Sequence, residues 1–261
     1  MQLVVLVLIL SLILYIFYRR NNYAKRLRDE FINGPFPDEW EKCLLEKVDF
    51  YKRLTPEERE KFKKRVLIFL ADTKITGADT DVDDEIKLLV AASAIIPVYR
   101  FENWHYLNLS EVILYGDPIE TYHIAEAGVV TSIIGQVRPF QTKHVVLLSK
   151  PLLIHGFSKN NDGENVGIHE FTHLIDGIDG NMDGIPSLIF DKELVRPWSH
   201  LMYKELERMK RHKSDINPYG LTNHAEFFAV VSEYFFEQPE KFKKKHPELY
   251  MVLEKAFGRR I

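Results

Sequence analysis

The stretch that most constrains the fold is residues 166–176, VGIHEFTHLID, where two histidines and a glutamate stand among apolar side chains. A helix of this composition is apolar nearly all round, so it must be buried. His169 and His173 are four residues apart, and on a helix they stand one turn above each other on the same face. Buried histidines and carboxylates are costly to desolvate unless they have partners. A bound metal ion is the simplest explanation of this pattern.

Residues 169–173, HEFTH, have the H-E-x-x-H spacing of zinc hydrolases. Both imidazoles reach one ion, and Glu170 lies on the adjoining edge, suited to take a proton from the attacking water without binding the metal. Two imidazoles and one carboxylate leave a tetrahedral position open, as a hydrolytic zinc site requires. An accidental match with satisfied core histidines is the alternative, which the apolar context disfavours.

Three carboxylates are candidates for the third ligand. Asp179 lies six residues after His173, where the metzincin pattern places its third ligand, but the glycine that this pattern needs at position 176 is at 177 here. Glu226 and Glu233 are seven residues apart in NHAEFFAVVSEYFF, so one face of a second helix could present either to the metal. The apolar neighbours of Glu226 favour it over Glu233.

The segment after the motif offers further polar residues. Asp176 is a candidate acceptor for a histidine N–H, or else a carboxylate at the helix end. Asp179 and Asp183 have calcium-loop spacing, but the twelfth position is Phe190 rather than glutamate, which favours a turn-rich surface loop. His224 is a further candidate for the wall of the pocket.

The rest of the chain reads as helices, then strands, then helices. Thr55 followed by Pro56 predicts a helix start, and a second helix is expected from Asp83 to about Ile96. The β-branched runs EVILYG, GVVTSII and HVVLLS predict strands. Later helices are expected around 164–176, 192–212, 223–236 and 247–257. This order predicts an α+β fold, with a linker and short helix over 21–54 and the main domain over 55–261.

The N-terminal segment is strongly apolar, with only Ser11 polar in residues 3–17. A helix over 1–18 would span about 27 Å at ~1.5 Å per residue, close to a bilayer core of ~30 Å. A cleaved signal peptide and a buried core helix are the alternatives, but no basic residue precedes the run and no Ala-x-Ala site follows it. Arg19 and Arg20 follow it instead, which predicts a single-pass anchor over residues 1–20 in the inner (cytoplasmic) membrane, with the catalytic domain cytoplasmic.

Composition narrows the function classes. The chain is 46% hydrophobic and 28% charged, which is typical of a globular protein with a core. A net charge of −3 gives no indication of nucleic-acid binding. Cys43 is the single cysteine, so an internal disulfide and a cysteine-rich metal site are both excluded.

Three blocks resemble a known family. NVGIHEFTHLID, NPYGLTNHAEFFAVVSEYFFEQPEKF and HPELY are similar to the Mlc titration factor A family of zinc peptidases, and the resemblance covers roughly residues 55–257. The catalytic core of that family is similar to the anthrax lethal factor metalloprotease domain, which implies a zincin-like fold. The resemblance also implies site residues: zinc ligands His169, His173 and Glu226, the general base Glu170, Tyr219 as the tyrosine that assists at the transition state, and Glu233 in a supporting place.

The resulting hypothesis is a zinc-dependent, aminopeptidase-like metallopeptidase acting on peptides or proteins at the cytoplasmic face of a membrane. Family members are described as aminopeptidases, and enterobacterial ones also bind a transcriptional repressor, which implies a transcriptional regulator as a partner. The alternative is a zinc-containing binding module that sequesters a regulatory protein at the membrane. A strand expected around 144–149 would offer its edge to an extended peptide.

Overall fold

The computed structural model describes residues 2–102, 104–106, 109–116, 119–120, 132–133, 135–140, 143–158, 163–187 and 189–258. The helices are α1 (Gln2–Asn33), α2 (Asp38–Lys47), α3 (Asp49–Lys52), α4 (Pro56–Asp72), α5 (Asp84–Ile95), α6 (Lys150–Gly156), α7 (Val166–Asp176), α8 (Lys192–Lys210), α9 (His224–Glu237), α10 (Pro239–Lys245) and α11 (Pro247–Phe257). The strands are β1 (Lys74–Ala78), β2 (Leu109–Tyr115), β3 (Ile119–Glu120), β4 (Ser132–Ile133), β5 (Gly135–Phe140) and β6 (Lys143–Ser149). Short 3-10 turns cover Ile96–Val98, Gly177–Asp179 and Pro218–Leu221.

The strands form one small sheet in the order β1-β2-β6-β5, and β3 pairs with β4 separately. β1, β2 and β6 are parallel, and β5 runs antiparallel to β6. The predicted α+β class is wrong, because the described chain is mostly helical and its longest strands have seven residues. The sequence pattern located the strand-forming runs, but it could not show how small a part of the chain the strands would form compared with the helices.

The individual strand predictions had different outcomes. EVILYG lies in β2 and ends one residue beyond it, and HVVLLS lies within β6, as predicted. Of GVVTSII, residues 128–131 and 134 lie outside the described residues, and 132–133 form β4. β6 is paired on both sides, by β2 and β5, so the prediction that 144–149 offers a free edge is wrong. β5 is the strand at that end of the sheet.

The helix starts follow the sequence signals closely. The hydroxyl of Thr55 accepts a hydrogen bond from the backbone N–H of Glu58 (3.3 Å), and the Glu58 carboxylate accepts one from the Thr55 N–H (3.0 Å). Asp83 caps α5 by accepting from the N–H of Ile86 at 2.9 Å. The predicted helices of the last third of the chain, α7, α8, α9 and α11, are confirmed to within about two residues at each end.

The N-terminal prediction is wrong. In the part of the chain that the structure describes, no helix combines the length and apolar character needed to cross a membrane. This finding contradicts three connected predictions: the anchor over residues 1–20, the single-pass location in the inner membrane, and the membrane as a partner. The apolar run is the first part of α1, whose later turns carry charges: Arg28 pairs with Asp72 of α4 at 2.6 Å.

α7 lies at the centre of the core, and every residue from Gly167 to Asp176 is buried. Phe171 packs against the rings of Phe69 and Tyr106, with centroids 5.7 and 5.2 Å away. Gly167 lets α5 approach closely, since a Cβ there would stand 2.0 Å from the Oγ of Ser93. The side chains of α7 are therefore held by close packing on several sides.

Replacing Gly167 by alanine tests this close approach. Alanine in place of glycine favours a helix by about 0.8–1 kcal/mol, whereas forcing extra atoms into a packed core costs typically about 1–3 kcal/mol. The overlap with the Cβ and Oγ of Ser93, at 2.7 and 2.0 Å, makes the second effect win. We expect Gly167→Ala to lower the free energy of unfolding by about 1–2 kcal/mol in denaturant titration.

The matched comparison uses Ser93→Gly, which removes the atoms that a Cβ at position 167 would meet first. In that background Gly167→Ala should become neutral or stabilising. A single Gly167→Ala variant that is as stable as the parent would show that the α5–α7 contact is not tight.

Candidate metal centre

α7 supplies the motif side chains in a buried setting. His169 and His173 are each 9% exposed and Glu170 is 4% exposed. The two imidazole rings lie one turn apart, with centroids separated by 4.8 Å at an interplanar angle of 80°. As the spacing predicted, both rings face the same side of the helix.

α9 brings Glu226 to that side. Asn223 caps the helix by accepting from the backbone N–H of Glu226 at 2.9 Å. Glu226 Oε2 lies 2.9 Å from His169 Nε2 and 3.3 Å from His173 Nε2. One ligand atom from each of these residues lies within 4.8 Å of the other two, and no other such group occurs among the described residues.

Glu233 stands two turns along α9 and meets the other side of the same imidazole. Its Oε1 lies 2.6 Å from His169 Nδ1, and its Oε2 accepts from the backbone N–H of Asn165 at 2.6 Å. The two carboxylates left open as third ligands therefore occupy different places. Glu226 faces the Nε2 atoms of both histidines, whereas Glu233 faces Nδ1 of His169 alone.

This arrangement fits a metal cation on chemical grounds. Each ring nitrogen of His169 faces a carboxylate oxygen, and a neutral imidazole has only one N–H to donate. Burial opposes a charged ring, but Glu233 and Glu226 outweigh it and raise the pKa of His169 well above its usual value. Positive charge is thus favoured here, and a cation between Nε2 and Glu226 would supply it. Two imidazole nitrogens and a carboxylate oxygen are ligands that zinc accepts.

The pKa values of two acids of the site are shifted in opposite directions. Burial by itself would raise the pKa of Glu226, but the hydrogen bonds from His169 and His173 lower it to about 2, so this carboxylate stays ionised. Burial raises the pKa of Glu170, and the nearby histidines only partly offset that effect. The site therefore brings together Glu226, whose pKa is lowered, and Glu170, whose pKa is raised.

Tyr219 lies at the rim of the site in the turn Pro218–Leu221. Its ring centroid is 5.9 Å from that of His169, and the side chain is 49% exposed. Burial of part of the ring, followed by the charges of Glu226 and Glu170, raises the pKa of Tyr219 to about 12. The hydroxyl therefore keeps its proton at neutral pH and is able to donate a hydrogen bond.

Contacts on both sides fix the turn that carries Tyr219. Asn217 accepts from the backbone N–H of Tyr219 at 2.9 Å and donates to Glu164 at 2.7 Å, just before α7. Asp215 accepts from the hydroxyl of Tyr234 at 2.8 Å and lies 2.8 Å from Nε2 of His246. The turn is thus tied to the starts and ends of several helices.

A cleft of about 250 Å³ opens beside these groups. Apolar side chains form part of its wall, and polar ones, including Glu170 and Tyr219, form the rest. Its lining residues are Leu152, His155, Glu164, Val166, His169, Glu170, Asn217, Tyr219, Val230 and Glu233.

The other candidates from the sequence lie apart from the cluster. Both carboxylate oxygens of Asp176 accept from the backbone N–H of Gly184 (3.1 and 2.9 Å), so its partner is a loop backbone rather than a histidine. Asp179 accepts from the N–H groups of Asn181 and Ser187, as expected of a turn-rich loop. His224 begins α9 and contacts Tyr203 instead of lining the cleft.

Three supporting residues were not predicted individually from the sequence. Asn165 is fully buried and bridges α7 to Glu233. An asparagine just before an apolar helix is a recognisable N-cap signal, but its bond to a residue 68 positions away gives no local signal. The same holds for Glu164 and Asn217, which are 53 positions apart.

Comparison with known proteins agrees with the geometry. The glucose-regulated metallo-peptidase M90 family matches residues 20–258. An uncharacterised protein of Synechocystis sp. is 29% identical over 97% of this chain and 95% of its own length. Mlc titration factor A of Klebsiella pneumoniae is 26% identical over 85% of each chain, and that of Escherichia fergusonii is 36% identical over 37% of this chain and 38% of its own.

These matches confirm the family resemblance seen in the sequence blocks. They extend it from residues 55–257 to nearly the whole chain. The protein belongs to the glucose-regulated metallo-peptidase M90 family.

Proposed function

We propose that this protein hydrolyses peptide bonds with a zinc ion held by His169, His173 and Glu226. The observation that carries the proposal is the convergence of two imidazole nitrogens and one carboxylate oxygen within 4.8 Å, beside a cleft. Imidazole and carboxylate ligands in this number suit zinc and leave a coordination position open for substrate. Membership in a metallo-peptidase family supports the same reaction class.

Glu170 is the general base in this proposal. When bound, zinc supplies a Lewis acid that polarises the peptide carbonyl and lowers the pKa of water. Glu170 takes the proton of the attacking water and hands it to the leaving amine. Burial raises the pKa of Glu170 towards the working pH, so the same carboxyl group can both accept and return the proton.

Tyr219 is the transition-state donor in this proposal. Its hydroxyl stays protonated because its pKa is raised to about 12, and its ring lies beside His169. A protonated phenol at the rim of the cleft can donate to the carbonyl oxygen as that oxygen becomes negative. Among the described strands, β5 is the end strand of the sheet and contacts α7, and we propose its outer edge as the place where the substrate backbone pairs.

The resemblance to the family implies removal of residues from the amino terminus of a peptide, and we include this aminopeptidase mode in the proposal. A second candidate is the binding of a regulatory protein, which the relatives named Mlc titration factor A favour. A purely structural zinc site is closed by four protein ligands, whereas three converge among the residues that the structure describes. The geometry therefore supports hydrolysis better than a zinc site that serves only stability.

Glu170→Gln tests the hydrolytic mechanism. Glutamine keeps the shape and hydrogen-bonding capacity of the side chain but cannot take a proton. We expect bound zinc to be unchanged, while cleavage of a peptide library falls by at least about 10²–10⁴-fold. A chelator should abolish cleavage by the parent, and added zinc should restore it. Near-parental turnover by a zinc-loaded Glu170→Gln variant would rule out this mechanism.

Alanine variants of Glu226, Glu233 and Asp179 test the metal site, because each should have a different effect on zinc binding. Glu226→Ala should lose stoichiometric zinc, because it removes one of three ligands. Glu233→Ala should retain zinc with affinity reduced about 10–100-fold, as expected of a residue that only orients a ligand. Asp179→Ala is the control and should bind zinc as the parent does. Metal analysis and chelator competition measure all three, and a reversal between Glu226 and Glu233 would reassign the ligand.

Tyr219→Phe separates transition-state donation from packing. It keeps the ring and deletes only the hydroxyl, so zinc content, thermal stability and KM should stay near parental values. Loss of one oxyanion donor typically lowers turnover by roughly 10²–10³, which is about 2.7–4 kcal/mol. We expect kcat to fall by that factor in steady-state kinetics. Equal kcat values for the variant and the parent would leave Tyr219 without a role in the chemistry.

A further inference from the structure

Asn165 is a fully buried residue whose polar groups all lie in hydrogen bonds. Its Oδ1 accepts from the backbone N–H of Ile168 at 3.1 Å and so caps α7. Its Nδ2 donates to the carbonyl oxygen of Gly156 and to Oε1 of Glu237, both at 3.2 Å. One side chain thus joins the start of α7 to the ends of α6 and α9.

The packing around Asn165 is as close as its hydrogen bonding. A Cβ on Gly156 would stand 3.0 Å from both Cα and Cγ of Asn165, so only glycine lets α6 end here without a shift. The carbonyl oxygen of Asn165 accepts from the backbone N–H of His169 at 2.9 Å, in the first turn of α7. The position of Asn165 therefore determines where the first turn of the motif helix begins.

The backbone N–H of Asn165 reaches the site through Glu233. Glu233 Oε2 accepts that N–H at 2.6 Å, and Oε1 lies 2.6 Å from His169 Nδ1. A carboxylate held by two donors at once has a fixed plane, and this plane sets the orientation of the imidazole. With Nδ1 of His169 directed at Glu233, Nε2 points towards Glu226.

Glu237 completes the support without adding a competing charge. Burial raises the pKa of Glu237 to about 8, so this carboxyl group is mostly neutral at pH 7. The amide of Asn165 therefore holds the end of α9 through Glu237, while its backbone N–H holds Glu233.

We propose that Asn165 is a positioning residue for the metal site. Asn165 holds Glu233, and Glu233 in turn holds the imidazole of His169 in the orientation that presents Nε2 to the ion. The inference rests on the proposed function for the identity of the metal site. The inference goes beyond the proposed function because it assigns the orientation of the ligand His169 to a residue that touches neither the ion nor the substrate.

Asn165→Ser is the test variant, since serine can still cap α7 but has no amide to bind Gly156 and Glu237. We expect the zinc dissociation constant of the full chain, measured by chelator competition, to rise about 10–100-fold. Asn165→Asp, which has nearly the same shape but lacks the amide donors, is the second variant should serine prevent folding. Asp83→Ala is the matched control, because it removes the cap of α5 far along the chain from the site and should leave zinc affinity unchanged.

A double-mutant cycle with Glu233→Ala distinguishes positioning from general destabilisation. If Asn165 acts through Glu233, Asn165→Ser should have no further effect on zinc affinity once Glu233 is alanine. Equal effects in both backgrounds, or parental zinc affinity in both Asn165 variants, would overturn the inference and leave the proposed function intact. A parent chain that binds no zinc would overturn both.

Discussion

The structure depends on how the polar groups of α7 are satisfied in the core. His169 has a carboxylate at each ring nitrogen: Glu226 at Nε2 and Glu233 at Nδ1. Burying such groups without partners costs several kcal/mol of free energy, which is more than a typical single interaction contributes to stability. α9 must therefore pack against α7 in one register, because a shift of one residue along α9 would move both carboxylates away. The seven-residue spacing of the two acids equals two helical turns, so both lie on one face of α9 and meet opposite nitrogens of the same imidazole.

The rest of the fold holds that register. Close packing at Gly167 brings α5 against α7, and the Asp176 carboxylate binds the backbone of Gly184 at the other end of the helix. Asp176 is fully buried at this end of α7, and this burial raises its pKa to about 6. These contacts fix the backbone of α7 at both ends, and Glu233 and Glu226 hold the ring of His169 from its two sides. A preorganised ligand set binds its ion without first having to order the side chains.

Much of the site was predictable because its signals are local. The spacing of residues 169–173 and their apolar context predicted a buried helix with both imidazoles on one side, and the structure has that helix. The residue pattern favoured Glu226 over Glu233 only through its apolar neighbours, because both lie on one face of α9. The packing of the two helices shows which nitrogen each one meets. Asn165 was missed for the same reason, because its partners lie 68 and 72 positions away.

The failed fold predictions also have a physical cause. An apolar run such as residues 3–17 indicates low polarity but not where the helix ends, and α1 continues into a charged segment up to Asn33. The run HVVLLS predicted β6 correctly, but strand order decides which edge is free, and β5 covers it. In both cases the sequence predicted the secondary structure of the segment correctly. The place of the segment in the fold depended on neighbouring segments that its own residues do not specify.

One physical effect acts on two residues of the cleft with different consequences. Burial raises the pKa of both Glu170 and Tyr219, and the charges of Glu226 and Glu233 act in the same direction. For a carboxyl group, a higher pKa brings the proton equilibrium nearer neutral pH, which in the proposed mechanism suits Glu170 to accept and return a proton. For a phenol, the same shift moves the proton equilibrium further from neutral pH, which in the proposed mechanism suits Tyr219 to keep its proton and donate it in a hydrogen bond. One electrostatic environment is therefore consistent with both proposed roles.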